Sequence, residues 1–288
     1  MINAKPSRNE TPSGKSSEII DAEATDHLPA HTIRTVNALP AEEKRAVYAR
    51  LIPTELLDRF QLQPDLITPQ GEDLLRLEGR EDGTDTEMAL YHQPGFPDPI
   101  LYGHITDTIT GHVHVLLYIL NDPDSPRFDV DRTPDGSPTQ FGIQRRNLAA
   151  EEAAMRFGLA PGQIRRGLRM LGPAIQAFEK FIASLGQEIY FNEPLYYHNA
   201  IIFERYGFAY QKGRQSMERI HHGFATSGDL RRLLDGSTPF RQPEAADSIR
   251  LRSWALHDRL LGEPFSDVTM YKRIGVNAGV DTCPGCDW

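Results

Sequence analysis

The sequence predicts an α/β (α+β) fold in which strands, at least one pair of them antiparallel, are flanked by amphipathic helices. Three observations carry this. Short runs of branched and aromatic residues, "EDLLRLEG", "TEMALYH", "ILYGHITDTI" and "ITGHVHVLLYIL", recur between Gly and Pro turn signals. The middle of the chain then changes to helical periodicity, with Ile175, Phe178, Phe181, Ile182 and Leu185 on one face. Last, "QEIYF", "YYHNAIIFERYG" and "FAYQKG" form a strand, helix and strand in succession.

Taken in order, residues 1–32 are rich in Ser, Thr, Lys, Glu and Pro, gain little by folding, and are expected to be a disordered tail. Residues 33–69 form a helical N-terminal extension. There Pro40 suits a first turn, Glu42 and Glu43 suit the positive helix end, Val47, Leu51, Leu56 and Leu57 supply apolar stripes, and Pro53 breaks the helix. In "ILYGHITDTITGHVHVLLYIL" two strands meet near Thr110-Gly111 as an antiparallel hairpin. "RFDVDR" adds a short strand and "TPDGSPTQFG" a loop. "NLAAEEAAMRFG" is a helix ending at Gly158, "APGQIRRGLRML" a second, and Gly172-Pro173 interrupts before the long amphipathic helix that ends at Gly186. After "QEIYF", a short helix starts near Pro194 and ends at Gly207, before the strand "FAYQKG". A helical insertion at about 214–264, a strand in "SDVTMYKRIG" and a tail at 276–288 complete the chain.

Composition narrows the function. With 31 Lys and Arg against 40 Asp and Glu, a formal charge of −9 argues against nucleic acid as the main partner. No apolar run reaches membrane-spanning length and the first residues lack a signal-peptide core, so a cytoplasmic protein with no membrane partner is expected. Two cysteines, Cys283 and Cys286, are too few for a disulfide scaffold.

Two stretches carry a family resemblance. "FERYGF" at 203–208 resembles the aromatic-Glu-Lys-Leu-Gly-Phe of the GNAT superfamily of N-acetyltransferases, and "RMLGPA" at 169–174 fits that family's Q/R-x-x-G-x-G/A loop. Element order extends the similarity over about residues 70–275. The resemblance implies a GNAT-like mixed, mainly antiparallel sheet and transfer of an acyl group from acetyl-CoA, or another acyl-CoA, to a small-molecule or peptide amine. It also implies that Arg169, Gly172 and Ala174 hold the pyrophosphate, with Arg165 and Arg166 as supporting charge. The physics suits that role: Gly172 admits a close backbone approach, Pro173 starts a helix without wasting a donor, and a helix N-terminus attracts anions.

The chain departs from the family in three places. About forty residues separate "RFDVDR" from Gly172, so Gly142 with Arg145 and Arg146 is a rival phosphate position. The insertion of about fifty residues before "DVTMYKRIG" suits a lid, a substrate wall or a subunit contact, and leaves a homodimer open. Phe203 stands where many family members have a tyrosine acid, and a phenyl ring donates no proton.

Acyl transfer from a thioester needs a base for the amine, donors for the oxyanion and a proton for the thiolate. Glu193, just past a strand, is the candidate base, although a carboxylate there also suits a helix N-terminus. Tyr196 and Tyr197 are candidate proton donors, while Tyr206 suits a core position. Asn199 can bond the pantetheine arm or cap a local carbonyl. Asp129 and Asp131 alternate on one strand face, as paired carboxylates or as a solvated edge. His112 and His114 share a strand face without an evident third ligand, His221 and His222 end a helix, and the C-x-x-C of "CPGC" can bind metal, cycle as a disulfide or stay inert. No metal is expected. The competing function is a GNAT-shaped ligand-binding or assembly module without transfer activity.

Overall fold

A computed structural model describes residues 31–139 and 145–288. Residues 1–30, which include most of the expected tail, and Gly142 with its rival phosphate loop lie outside the described residues. The fold is mixed α/β, with a mostly antiparallel seven-strand sheet among the described residues.

Three short helices, α1 (Ile33–Asn37), α2 (Ala41–Ala49) and α3 (Thr54–Phe60), precede the sheet. The Thr32 side chain caps α1, and Asp107 accepts from the free N–H groups of Ile33 and Arg34 at 2.8 and 2.9 Å. Pro40 and Pro53 are the N-caps of α2 and α3, one position earlier than the first-turn placement expected for Pro40. Tyr48 anchors the extension: its ring meets Phe181, and its hydroxyl bonds Asn37 Oδ1 and Thr86 Oγ1 at 2.8 and 3.0 Å.

Strands β1 (Leu75–Glu78), β2 (Asp85–Leu90), β3 (Leu101–Asp107) and β4 (Val113–Leu120) form an antiparallel meander. The expected β3–β4 hairpin forms, with Gly111 at φ +80° in its turn. Alternation sends Leu101, Ile105, Val113 and Val115 into the core, while Tyr102, His104, Thr106 and His114 lie half-buried on the opposite face.

From β4 the chain runs through α4 (Leu148–Phe157) and α5 (Leu171–Ser184) to β5 (Ile189–Asn192). It continues through α6 (Tyr197–Arg205), β6 (Ala209–Lys212), α7 (Arg214–Gly223), α8 (Asp229–Arg232), a 3₁₀ turn at Pro243–Asp247 and α9 (Ile249–His257), and closes with β7 (Thr269–Arg273). The spatial order is β1-β2-β3-β4-β5-β7-β6, and β4–β5 is the parallel pair. Helix α5 buries Ile175, Phe178, Phe181 and Ile182, the apolar face read from the sequence. Phe178 packs edge-on to Tyr118 of β4 at 5.0 Å and stacks on Tyr190 of β5 at 6.0 Å, so α5 lies across the seam where those strands meet.

Two expectations are corrected. "RFDVDR" is not a strand: apart from an isolated bridge, Arg132 to Pro138, it is loop and turn, held because Arg127 bonds Asp98, Asp129 and Asp131 together. Local charge pairing wins there over strand propensity. "APGQIRRGLRML" is not a helix before Leu171. Its backbone is spent outward instead, in Phe128 N–H to Ile164 O at 2.8 Å, Asp122 N–H to Arg166 O at 2.8 Å and Leu168 N–H to Leu120 O at 3.3 Å. Among the described residues no helix is long and apolar enough to cross a membrane.

A smaller second core joins the two excursions from the sheet. Val130, Ala154 and Leu159 from the segment before α5 pack with Phe240 and Trp254 from the segment before β7. Trp254 Nε1 donates to Leu159 O at 2.8 Å, and Arg250 donates to the carbonyls of Met155 and Leu159.

Candidate functional site

The main cleft opens where the sheet is weakest. Strands β4 and β5 share two residue pairs, His114 with Phe191 and Val115 with Asn192, and then separate. On the β3 side, the register skips one residue of β4 between Val115 and Leu117, which leaves a β-bulge at Leu116 beside the point of separation. A bulged residue drops out of the ladder and bends its strand. The resulting cleft, about 470 Å³, is lined by β4 from Val115 to Asn121, by Asn192 to Tyr196 and by Asn199 and Phe203 of α6. Asp98, Tyr102, Asp131, Glu151, Gln163, Arg165 and His257 complete the wall.

The cleft contains unpaired polar atoms. Asn192 is 4% exposed, and both its amide nitrogen and its oxygen are buried without a partner. Asp131 Oδ1, in the same wall, is in the same condition. Buried polar groups are normally satisfied, so a buried amide facing a cleft with both atoms free is suited to a ligand carrying its own donor and acceptor.

The long excursion after β4 returns to where it began. Asn121 bridges Gly167, and three residues after Leu168 bonds back to Leu120 the chain enters α5. The N-terminus of α5 therefore follows the end of β4 in space, despite the intervening residues. Ala174 N–H is already bonded to Met170 O at 3.0 Å, and Pro173 has none to offer, which leaves Leu171 and Gly172 without an intrahelical acceptor. Arg169, exposed and in the left-handed region at φ +58°, has no hydrogen bond or ion pair among the described residues.

Helix α6 links that end to the cleft. Tyr196, Asn199, Phe203 and Tyr206 follow one helical stripe; the first three line the cleft. Tyr206 is not a core aromatic: it is 39% exposed, and its ring would stand 3.6 Å from a Cβ placed on Gly172.

The remaining expected residues are dispersed. Arg165 lines the cleft but is engaged, with Nε donating to Asp98 at 2.9 Å and Nη1 to the carbonyls of Pro123 and Ser125. Arg166 lies over the Phe157 ring and donates to Phe157 O at 3.3 Å, so it too is engaged. Ala174 is buried in the α5 core face. Tyr197 is buried beneath the C-terminal tail, and its hydroxyl donates to Cys283 Sγ at 3.3 Å. Glu193 stands on the ridge between the cleft and a second one of about 340 Å³, lined by Tyr196, Tyr197, His257 and Phe265. Its Oε1 is 3.8 Å from Nε2 of His114, whose burial lowers its pKa against the opposing pull of Glu193 and favours the neutral imidazole.

A charged network stiffens the far wall. Burial opposes ionisation of Glu151, but hydrogen bonds from His257, at 3.2 Å, and Arg146, at 2.9 Å, outweigh it and hold the carboxyl below its usual range. Arg146 also reaches Asp258 at 2.7 Å. Tyr196 lies edge-on to His257, and burial raises its phenol pKa, so it stays protonated at neutral pH. Asn192 and the bulge at Leu116 were missed from the sequence. The amide in "YFNEP", at the end of an apolar strand, was the available signal, because an amide in that position needs partners that no neighbouring residue supplies.

His221, Cys283 and Cys286 also come together, with ligand-type atoms within 4.8 Å of one another. Arg252 Nη1 donates to both sulfurs there, which sets a cation against any metal, and the two cysteines form a disulfide. No protein-family model, curated protein or solved structure matches this chain.

Proposed function

We propose that the chain is an acyl-CoA-dependent N-acyltransferase of GNAT type, acting on a small-molecule or peptide amine. One observation carries the reading: a parallel strand pair parts at a β-bulge, and the opening leads along α6 to a helix N-terminus with an unpaired arginine. A pantetheine arm is a thin chain with two amides, and an amide-bearing chain suits an open strand edge that already lacks a partner. Asn192 offers the matching donor and acceptor. The pyrophosphate would face the N–H groups of Leu171 and Gly172 with Arg169 as counter-charge, where helix dipole and free donors favour an anion. Acetyl is the simplest acyl group.

The thioester would lie at the bulge, where the backbone N–H of Leu116 would donate to an oxyanion. Glu193, with the neutral His114 3.8 Å away, would take the amine proton directly or through water. Tyr196, a protonated phenol in the cleft wall, is the proton source for the thiolate in place of the hydroxyl that Phe203 lacks. Positioning in the cleft supplies much of the rate in such a reaction.

Isothermal calorimetry of the full chain with acetyl-CoA, together with a thiol-release assay over amine pools, tests the reading. Arg169→Glu with Gly172→Asp should weaken acetyl-CoA binding by about tenfold or more, the loss of one charge-assisted contact and the gain of repulsion. Unchanged binding would remove the pyrophosphate assignment. Binding without thiol release over any pool would favour the alternative that Phe203 suggests, a ligand-binding module of the same shape.

A further inference from the structure

The C-terminal "CPGC" segment is docked into the fold. Thr282 donates from its backbone N–H and its hydroxyl to Glu204 at 2.8 and 2.6 Å, Arg205 donates to Cys286 O at 3.0 Å, and Ile249 N–H donates to Asp287 O at 2.8 Å. Cys283 is 3% exposed, whereas Cys286 is half-buried and reachable from outside. The two form a disulfide.

The environment of that disulfide is charged in one sense. Arg252 is 7% exposed, stacks over Phe224 and donates through Nε to Ala246 O at 2.7 Å. Its Nη1 points at both sulfurs, 3.1 Å from Cys283 and 3.2 Å from Cys286, and among the described residues no carboxylate pairs with it. A buried guanidinium without a counter-charge is unfavourable, and it becomes favourable when a thiolate forms beside it. Tyr197 supplies a second donor to Cys283 Sγ, and His221 Nδ1 lies 3.7 Å from Cys286 Sγ as a proton acceptor. These contacts stabilise a reduced, ionised pair more than a disulfide, and so make the bond more readily reduced.

We propose that Cys283 and Cys286 form a thiol–disulfide exchange site whose substrates are low-molecular-weight thiols. A thiolate of that class attacks Cys286 Sγ, the Cys283–Cys286 bond breaks, and Cys283 leaves as a thiolate held by Arg252 and the Tyr197 hydroxyl. A second thiol then attacks the mixed disulfide at the small-molecule sulfur. Cys286 leaves, two substrate thiols have become one disulfide and their two electrons reside on the two sulfurs; one proton goes to Cys286 or to His221 beside it, and the other, which the Cys283 thiolate does not take, goes to solvent. The site is independent of the acyl-transfer reading and stands or falls separately from it.

The test is equilibration of the full chain in glutathione buffers of graded reduced-to-oxidised ratio, with acid quench, alkylation and mass analysis. The disulfide should be half reduced inside the range of those buffers. Arg252→Gln should shift the equilibrium constant toward the disulfide by about tenfold, about 30 mV for a two-electron couple, and Arg252→Lys should shift it less. In the reduced chain, iodoacetamide at neutral pH should modify Cys286 first and about tenfold faster than free glutathione. Since the wild-type titration needs no variant, misfolding of Arg252→Gln would not protect the idea. A disulfide that stays closed at every ratio would make the pair a structural staple and overturn the proposal. So would an Arg252→Gln chain, folded by circular dichroism, with an unshifted equilibrium. Stoichiometric zinc on the reduced chain, blocking alkylation until a chelator is added, would overturn it in favour of a metal site.

Discussion

Replacing Asn192 by leucine separates a ligand-binding role from a structural one, because the two predict opposite signs for stability. The side chain is 4% exposed, and neither amide atom has a partner. An unsatisfied buried polar group costs roughly 1–3 kcal/mol, and Asn192 carries two. Solvent entering the open cleft relieves part of that cost, so a shape-matched apolar side chain should stabilise the ligand-free protein by ~1–2 kcal/mol. For a chain of this size that is about 2–6 °C in Tm. In the proposed complex the same change would remove one or two hydrogen bonds to a pantetheine amide, and it should weaken acetyl-CoA by about 3- to 30-fold. Urea titration and calorimetry on the same preparation read both quantities. If Asn192→Leu lost more than ~1 kcal/mol while acetyl-CoA bound as before, the amide would be satisfied in the fold and the cleft would have lost its clearest ligand contact.

Three other perturbations follow from single distances and protonation states. Gly162 has φ +79°, and a Cβ there would stand 2.4 Å from the Tyr196 ring, so Gly162→Ala should destabilise by ~2 kcal/mol or more in chemical denaturation and displace Tyr196 from the cleft wall. Gly172→Ala should fold normally, because its Cβ would meet only Tyr206 at an ordinary 3.6 Å; a loss of more than ~1 kcal/mol in the same experiment would contradict the geometry. Burial, reinforced by His257, pushes the pKa of His198 from 6.5 down to about 3. The unfolded chain then binds more protons, so this contribution is intact above pH 6.5 and declines by about 1.4 kcal/mol per pH unit as pH falls toward the folded value. His198→Gln should flatten urea stability by one proton between pH 6 and pH 4, and an unchanged slope would mean that His198 protonates within the fold.

The β3–β4 hairpin, the α5 face and the helix ending at Gly207 were legible because each is local: a turn glycine, a period of 3.6 residues and a left-handed C-terminal position are written in adjacent residues. The helix ending at Gly158 was legible for the same reason, whereas "RFDVDR" and "APGQIRRGLRML" on either side of it were misread because their order comes from distant partners. Arg127 gathers Asp98 with its own neighbours, and Arg165 reaches the same Asp98 across the fold. A run of arginines near a Gly-Pro therefore looked like an anion site, although Arg165 and Arg166 are already engaged and Arg169 alone is left unpaired. Tyr206 was read as core from spacing alone, yet the stripe Tyr196, Asn199, Phe203, Tyr206 runs along the cleft, because sheet pairing decides which helical face is buried. The pairing of His221 with "CPGC" joins residues more than sixty positions apart, which no local pattern encodes.

The two excursions that depart most from a compact sheet-and-helix plan are one structural unit. The first leaves β4 at Asn121 and returns at Gly167, so it adds a wall without moving the start of α5. The second lies between β6 and β7 and supplies Phe240, Trp254, His257 and Asp258. Together they enclose Trp254, and their polar edges meet through Arg146 with Asp258 and Glu151 with His257. Glu151, Gln163 and His257 from this joint wall face the cleft, beside Tyr196 at the start of α6. In the proposed reaction the sheet holds the acyl donor, so discrimination between amines falls to this wall. Trp254→Ala removes the ring that both excursions share and its hydrogen bond to Leu159. It should cost ~3–5 kcal/mol and loosen both segments together, seen as faster hydrogen exchange in residues 147–165 and 238–258 at once. Exchange rising in one segment alone would show two separate loops instead of a single wall.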